Sequence, residues 1–420
     1  MKLAVLSDFH FGFAFTPELE EDSFENADEA MEKALKADLI LLLGDIFDSR
    51  VPKTQTWAKA MKILVKPLLE EDRGVKLISS TKELKKASVR TLSHLPVIAI
   101  HGTHERRGRG ELNAVEVLEN AGLLIHLHCH TIVLEKDGIK IAIHGMSGVP
   151  ERFAKDILKQ WNPQPVENCF NILLLHQSIN PYIYSPLEPP SISISDLPKG
   201  FDLILDGHVH QNAQEKINGT TLIFPGSTVV TQFERSESEV EKGFYFIELK
   251  DGIKIEFCPL QKARKFFYEE IQLKESFKKE QIESKIKEIL SKNLTKPPII
   301  RIKLKGSEIL DKELNNLEKI FAGKAILIFA KDFESREVEK KAEFLRALRE
   351  QRLSVEDIGI EILRKNLEEL NFSFSFDYEQ IFRLLSEGEV EKTLQILLGE
   401  QKTLEGILIK SLKEFGVKND

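Results

Sequence analysis

The sequence predicts an α/β fold with a metal site at the edge of a sheet, and two observations support this. Five apolar runs of strand length end abruptly in small clusters of Asp and His. Between the runs lie stretches with helical spacing of apolar residues, such as 24–37 and 56–69, and this alternation is typical of α/β domains. Ligands of α/β folds bind beyond the carboxyl ends of the strands, which is where these Asp and His residues lie. We therefore predict a site for two divalent metal ions in an enzyme that acts on phosphate esters.

The candidate metal ligands follow the apolar runs in chain order. Run 3–6 leads to Asp8 and His10, 39–43 to Asp45 and Asp48, 97–100 to Thr103 and His104, 172–175 to His176, and 201–205 to His208 and His210. Asp8 and His10 are two residues apart, so on an extended chain both side chains point to one side. A set of imidazoles and carboxylates suits Mn²⁺, Fe²⁺ or Zn²⁺ in a catalytic site better than a structural zinc site. Taken singly, each His is better explained as a hydrogen-bonded core or surface residue, but the clustering of all of them at strand ends favours metal binding.

His104 has a different predicted role, because an imidazole near two cations can protonate the oxygen that leaves a phosphate. Arg106, Arg107 and Arg109 follow it directly and are candidate contacts for a phosphate backbone; the alternative is that they are solvated loop charges. The formal net charge of −8 does not suggest a basic nucleic-acid-binding protein, but two bound cations would supply positive charge where a phosphate sits.

Other histidines are predicted not to bind metal. His126, His128 and His130 alternate along a predicted strand without a carboxylate partner. His144 has no companion Asp and is predicted to lie in a loop.

The composition of the 420 residues, with 42% hydrophobic and 30% charged, is typical of a soluble globular protein of two or three domains. No apolar stretch reaches the roughly 20 residues of a membrane span, and the apolar run at the start is too short for a secretory signal. The three cysteines lie far apart without a CxxC motif, so we predict neither disulfides nor a zinc knuckle, and a cytoplasmic location.

The second half of the chain has a different character. Strand, helix, strand, helix and strand are predicted in short order between 265 and 333, a segment without His, which indicates a small α+β domain. Beyond 334 the chain is highly charged, and two amphipathic helices are predicted on either side of an alternating aromatic stretch at 371–376. Helices with no core of their own either pack against the rest of the protein or dock a partner, and we expect a partner here.

The strand-end motifs D-x-H (Asp8, His10), G-D-x-x-D (Asp45, Asp48), G-x-H-E (His104), a lone His (His176) and G-H-x-H (His208, His210) resemble the five motifs of the calcineurin-like metallophosphoesterases. This resemblance implies a sandwich of two sheets flanked by helices. By its layout the whole chain is similar to the nuclease subunit of the double-strand-break repair complex, the meiotic recombination eleven family. The similarity implies a nuclease domain at 1–260, a DNA-presenting capping domain at 261–333, a charged linker at 334–350, and a helical segment at 351–420 that binds the coiled coil of a partner ATPase.

Carried over by position, the resemblance implies a metal-ligand set and a proton donor. Asp8, His10, Asp45 and His210 would hold one Mn²⁺, Asp45, His176 and His208 the second, and His104 would be the acid. Thr103 replaces an Asn whose amide oxygen ligates the second ion in the family, so a weaker ligand is expected there. Asp48 stands where some members have His, and it is expected to orient His104.

The activity implied is Mn²⁺-dependent exonuclease and endonuclease cleavage of duplex ends, hairpins and single strands by a water that two ions activate. A homodimer through the helices at 56–69 and 113–120 is also implied, as is a place at the nucleoid if the cell is prokaryotic. Two alternatives stay open. One is a phosphoesterase with another substrate, and the other is a non-catalytic DNA-tethering subunit in which Thr103 has weakened the second metal site.

Overall fold

The computed structural model describes residues 1–108, 110–183, 191–217, 219–250, 252–274, 278–307, 309–332, 355–369, 377–386 and 388–398. The described residues fall into two compact units, whose bounds are 1–106 with 112–342 for the first and 107–111 with 343–420 for the second. Arg109, the predicted linker and the aromatic stretch 371–376 lie outside the described residues. Among the helices of the described ranges, none combines the length and the apolar character needed to cross a membrane.

The first sheet has six strands in the order β15-β14-β1-β2-β4-β5. They are β1 (Lys2–Leu6), β2 (Leu39–Leu43), β4 (Val97–Ile100), β5 (Ile125–His126), β14 (Gly243–Leu249) and β15 (Ile253–Pro259). Strands β1, β2, β4 and β5 run parallel, with Leu3 opposite Leu39, whereas β14 is antiparallel to both β1 and β15. The carboxyl ends of the parallel strands therefore meet at one edge.

The second sheet has seven strands in the order β12-β13-β11-β8-β7-β6-β3. They are β3 (Lys76–Ser80), β6 (His130–Lys136), β7 (Ile139–Met146), β8 (Phe170–Leu175), β11 (Leu203–Asp206), β12 (Ala213–Ile217) and β13 (Thr220–Phe224). Its central strands β7, β8, β11 and β13 are parallel. A short parallel pair, β9 (Ile179–Asn180) and β10 (Ile192–Ser193), lies apart from it.

The two sheets pack face to face and helices cover their outer faces, as predicted. Alternate residues of the central strands, such as Leu3 of β1 and Ile172 of β8, share one buried core between the sheets. The intervening residues face outward, where α1 (Asp22–Ala34), α2 (Thr54–Leu64) and α3 (Ala114–Asn120) cover the first sheet and α4 (Glu151–Trp161) covers the second. Burial on both faces explains why these strands are unbroken apolar runs in the sequence.

A third sheet forms a small α+β lobe in the same compact unit. Its parallel strands are β16 (Phe266–Leu273), β17 (Ile299–Gly306) and β18 (Ile326–Asp332). Helices α6 (Lys278–Leu290) and α7 (Asp311–Phe321) bury Ile300 and Ile302 on one face. At the other face Phe266 and Ile299 pack against Phe233, which lies just before the short helix α5 (Arg235–Ser238). The predicted order of elements is confirmed, while the domain boundary at 260 stays a proposal.

The second compact unit contains α8 (Val355–Glu369), α9 (Tyr378–Ser386) and α10 (Val390–Leu398). The sequence predicted two helices here, and the second prediction was wrong in extent, because two helices occupy its place. Gly388 lies between them at a φ of +81°, a left-handed conformation that ends a helix.

Candidate metal centre

The loops that follow β1, β2, β8 and β11 bring the predicted ligands together at the carboxyl edge of both sheets. Asp8, His10 and His210 form one set whose ligand atoms all lie within 4.8 Å of one another, and Asp45, His176 and His208 form a second. All six residues are buried. A third set with the same spacing joins His10 to Asp48 and His104. Residues separated by up to 202 positions thus converge because the parallel strands end together.

The backbone of the centre is strained and close-packed. Asp8, His10, Asp45 and His208 have φ values of 52°, 47°, 45° and 68°, in the left-handed region that L-residues rarely adopt. Such strain collects at functional sites, where the surrounding structure maintains it. Gly102 has no room for a side chain, since a Cβ there would lie 2.1 Å from Asp45 Oδ1. The loop after β4 therefore approaches Asp45 as closely as only glycine permits.

Three histidines are oriented by a bond from the ring nitrogen that faces away from the centre. His10 Nδ1 lies 3.1 Å from Asp48 Oδ1, and His176 Nδ1 lies 2.6 Å from the Leu43 carbonyl oxygen. His210 Nδ1 lies 2.7 Å from Thr231 Oγ1. These bonds turn the Nε2 atom of each ring toward the centre, the orientation that a metal-ligating imidazole requires.

The donor set fits divalent cations. Asp8 Oδ1 and His176 Nε2 are buried and make no hydrogen bond, which is costly for polar atoms unless another partner takes the lone pair. Asp8 Oδ1 lies 3.6 Å from His210 Nε2, and His176 Nε2 lies 3.2 Å from Asp45 Oδ2. Carboxylate oxygens and neutral imidazoles at these separations match the coordination chemistry of Mn²⁺, Fe²⁺ or Zn²⁺.

The electrostatics of the centre favour ionised carboxylates. Burial acts to raise the pKa of Asp45, but His176 and His104 outweigh it and hold that pKa well below its ordinary value. Burial acts to lower the pKa of His176, but the Asp45 carboxylate raises it to about 10. The negative potential of the buried carboxylates therefore favours bound positive charge, either a metal cation or a proton on a neighbouring imidazole.

His104 differs from the other imidazoles, because its side chain is 40% exposed. Its Nδ1 lies 2.8 Å from the backbone carbonyl oxygen of Asp48, and its backbone N–H donates to Asp45 Oδ1 at 2.8 Å. Burial acts to lower the pKa of His104, but the Asp45 carboxylate and the Asp48 carbonyl raise it above its ordinary value. The imidazole can thus hold a proton next to the ligand sets.

Thr103 and Asp48 lie at the centre, and their contacts go beyond those expected from the sequence. Thr103 Oγ1 is 3.1 Å from Asp45 Oδ2, so its hydroxyl donates to the carboxylate of the second ligand set. The Asp48 carboxylate lies 3.1 Å from His10 Nδ1 and 3.7 Å from His104 Nδ1. Asp48 therefore orients His104 through its backbone oxygen and His10 through its side chain.

Glu105 holds two ligand-bearing loops together, a role that the sequence motif did not reveal. Its Oε1 accepts the N–H of Phe47 and its Oε2 accepts the N–H of Gly102, both at 2.7 Å. Glu105 is fully buried, with 0% exposure. Its place beside His104 was the available signal, but nothing in the sequence indicated that it faces Phe47.

Of the three arginines after His104, Arg109 lies outside the described residues, and Arg106 and Arg107 each have an acidic neighbour. Arg106 donates from Nε to the Thr103 carbonyl oxygen at 3.2 Å and lies 3.6 Å from Glu151. Arg107 belongs to the second compact unit, where it lies 3.1 Å from Glu111. Contacts of these residues with DNA stay a prediction.

The remaining histidines are hydrogen-bonded residues of the sandwich. His126 ends β5 and His130 begins β6, so the prediction of one strand through both was wrong. His126 Nε2 lies 2.9 Å from His101 Nδ1, and burial lowers the pKa of His101 to about 3. The prediction of a loop at His144 was also wrong. It lies in β7, between Thr131 and Asn171.

Comparisons with known proteins agree with this geometry. The calcineurin-like phosphoesterase family matches residues 1–212. The chain is 25% identical to the double-strand break repair protein MRE11 of Arabidopsis thaliana, over 88% of this chain and 59% of that protein. It is 27% identical to the MRE11 protein of Homo sapiens, over 65% of this chain and 42% of that protein. The chain therefore spans less than two thirds of the length of these relatives.

Among solved structures, the chain is similar to GAP50, the anchor in the inner membrane complex of Plasmodium. The two are 15% identical with a TM-score of 0.34, over 62% of this chain and 84% of that one. This structural similarity is too weak to indicate a function.

Proposed function

Since the chain belongs to the calcineurin-like phosphoesterase family, we propose that it is a two-metal nuclease that hydrolyses phosphodiester bonds in DNA. The observation that carries this proposal is the pair of buried ligand sets around Asp8 and Asp45, with the partly exposed His104 beside them. DNA as the substrate is supported by the similarity to MRE11 double-strand break repair proteins. In this proposal the protein acts on duplex ends, hairpins and single strands, both as an exonuclease and as an endonuclease.

The metal ions are proposed to be two Mn²⁺. Asp8, His10, Asp45 and His210 would hold one, and Asp45, His176 and His208 would hold the other, with Thr103 as a weak further ligand. Bound ions would supply positive charge to the phosphate oxygens and lower the pKa of a nucleophilic water. Asp45 suits a shared position, because its two oxygens face Thr103, His104 and His176.

His104 is proposed to donate the proton to the oxygen that leaves the phosphate. Its raised pKa keeps the imidazole charged to a higher pH, and its exposure leaves it accessible to a bound strand. The bond from Nδ1 to the Asp48 carbonyl oxygen fixes the ring so that Nε2 carries the transferable proton.

The proposed partners extend beyond the metal centre. Arg106, Arg107 and Arg109 are proposed to contact the DNA backbone. The helical segment 351–420 is proposed to bind the coiled coil of a repair ATPase, and α2 with α3 to form a homodimer. These assignments are supported by the similarity to MRE11 proteins. The proposed location is the cytoplasm, in association with the nucleoid if the cell is prokaryotic.

The test is cleavage of end-labelled duplex and hairpin DNA with Mn²⁺, Mg²⁺ or EDTA. Wild type should cut with Mn²⁺, Asp8→Ala should lose metal binding and cleavage, and His104→Ala should lose cleavage while it still binds metal. His94→Ala is the matched control, because His94 Nδ1 bonds to the Glu70 carbonyl oxygen away from the centre.

Preferential turnover of a small phosphomonoester would contradict DNA as the substrate. One bound ion with DNA binding but no cleavage, even with the ATPase, would contradict the nuclease and favour a tethering subunit.

A further inference from the structure

A buried hydrogen-bond network behind His210 connects the candidate metal centre to the small α+β lobe. Its first link is the 2.7 Å contact between His210 Nδ1 and Thr231 Oγ1. The segment that carries Thr231 also touches the loop after β1, since the Thr228 N–H donates to the Asp8 carbonyl oxygen at 3.3 Å. One segment, 227–234, therefore contacts two residues of the first ligand set.

A buried ion pair holds this segment in place. Glu237 accepts the N–H groups of Thr231, Gln232 and Phe233 at 3.2, 2.9 and 3.0 Å. Its carboxylate pairs with Lys242 Nζ at 2.6 Å, and the two side chains are 1% and 4% exposed. Lys242 Nζ also donates to Ser227 Oγ at 2.7 Å. A buried pair is sustained only when further hydrogen bonds satisfy both charges, and here those bonds shape the segment behind His210.

The other side of the same segment docks the small lobe. Arg301 of β17 donates to the Phe233 carbonyl oxygen at 2.9 Å. The Phe233 ring packs edge-on against Phe266 of β16 with centroids 5.9 Å apart, and Arg235 lies 2.9 Å from Glu270 of β16. Phe233 has a φ of 55°, a strained conformation that depends on contacts on both sides to persist.

We propose that Thr231 is a positioning residue for His210 and that Arg301, acting through the segment 227–234, couples the metal centre to docking of the small lobe. The Thr231 hydroxyl fixes the rotation of the His210 ring, and loss of such an outer partner weakens metal binding about 10- to 100-fold. The inference rests on the metal centre of the proposed function and is independent of DNA as the substrate.

The first experiment measures Mn²⁺ affinity by calorimetry on the full chain. Thr231→Val, which has nearly the same shape, should bind Mn²⁺ about 10- to 100-fold more weakly, while Thr231→Ser, which keeps the hydroxyl, should bind like wild type. Thermal unfolding in EDTA checks that the variants fold. If Thr231→Val does not fold, Thr231→Ala is measured in its place. Wild-type Mn²⁺ affinity in a folded variant without the hydroxyl would overturn the positioning role.

The second experiment tests the coupling from the far end. Arg301→Gln should weaken Mn²⁺ binding about 2- to 30-fold, the range of long-distance coupling. Lys303→Gln is the matched control on the same strand, because Lys303 pairs with Asp332 of β18 at 2.8 Å. Equal affinities of both glutamine variants and wild type would overturn the coupling. Absence of Mn²⁺ binding by wild type would instead overturn the metal centre itself, so the two failures are distinguishable.

Discussion

Removal of the Glu105 carboxylate tests directly how the ligand-bearing loops are held together. Glu105→Ala would leave the N–H groups of Phe47 and Gly102 without acceptors in a fully buried position. Each buried polar group left unsatisfied costs about 1–3 kcal/mol, so we expect the free energy of unfolding to fall by about 2–6 kcal/mol.

The assay is urea denaturation in EDTA, so that bound metal does not contribute to stability. The matched control is Glu288→Ala, which removes a 61% exposed carboxylate that pairs with Lys285 and should cost no more than about 1 kcal/mol. If Glu105→Ala destabilised the protein no more than the control, the two hydrogen bonds would not be holding the loops.

The protonation of Glu105 adds a pH signature to the same site. Burial and the Asp45 carboxylate raise the pKa of Glu105 to about 7, whereas the unfolded value is about 4.3. The folded state therefore binds more protons between these values, and the contribution of Glu105 to stability is lost as pH rises through about 7. Glu105→Gln lacks this titration, so the stability of wild type relative to this variant should decline from about pH 5 to about pH 8. Parallel pH profiles would contradict the reasoning.

Three further predictions follow from the centre and its surroundings. Mn²⁺ at about 100 times its dissociation constant should stabilise wild type by about 2.7 kcal/mol for each bound ion, and in thermal unfolding Asp8→Ala should lose at least the contribution of the first ligand set; a full wild-type shift in Asp8→Ala would place that ion elsewhere. Gly207→Ala should abolish Mn²⁺ binding measured by calorimetry, because its Cβ would lie 2.4 Å from the Leu43 carbonyl oxygen and 2.6 Å from His176 Nδ1; wild-type affinity would contradict this packing. Burial acts to raise the pKa of Glu237, but Lys242 and the backbone donors hold it below its ordinary value, so its contribution to stability should be lost as pH falls below about 4.5. Glu237→Gln should lack this acid-induced loss in a circular dichroism titration, and equal acid midpoints would refute the role of the ion pair.

Much of the metal centre was predictable, because each ligand lies directly after a strand that is itself an unbroken apolar run. Strand 172–175 ends at His176 and strand 201–205 leads to His208, so both the strand and the ligand are local signals. The break between α9 and α10 was missed, since the apolar spacing continues across Gly388 and a single glycine is a weak stop signal.

Residues whose role depends on a partner far away along the chain could not be predicted from the sequence. Thr231 lies 21 residues from His210, and Glu237 lies outside every strand-end cluster. Their contacts depend on how the segment after β13 folds back under the metal centre, and no periodicity records that path. The same holds for Arg301, whose partner Phe233 is 68 residues away.

The sequence by itself determined the strands, the candidate metal ligands and the class of chemistry of the α/β domain, because hydrophobic periodicity and side-chain type are local properties. Only the tertiary structure decided which atoms face one another. It placed the Asp48 side chain closer to His10 than to His104, it placed Glu105 between two loops, and it placed Thr231 next to His210. Such pairings arise from the packing of two sheets and a lobe, in which separation along the chain carries no information about distance in space.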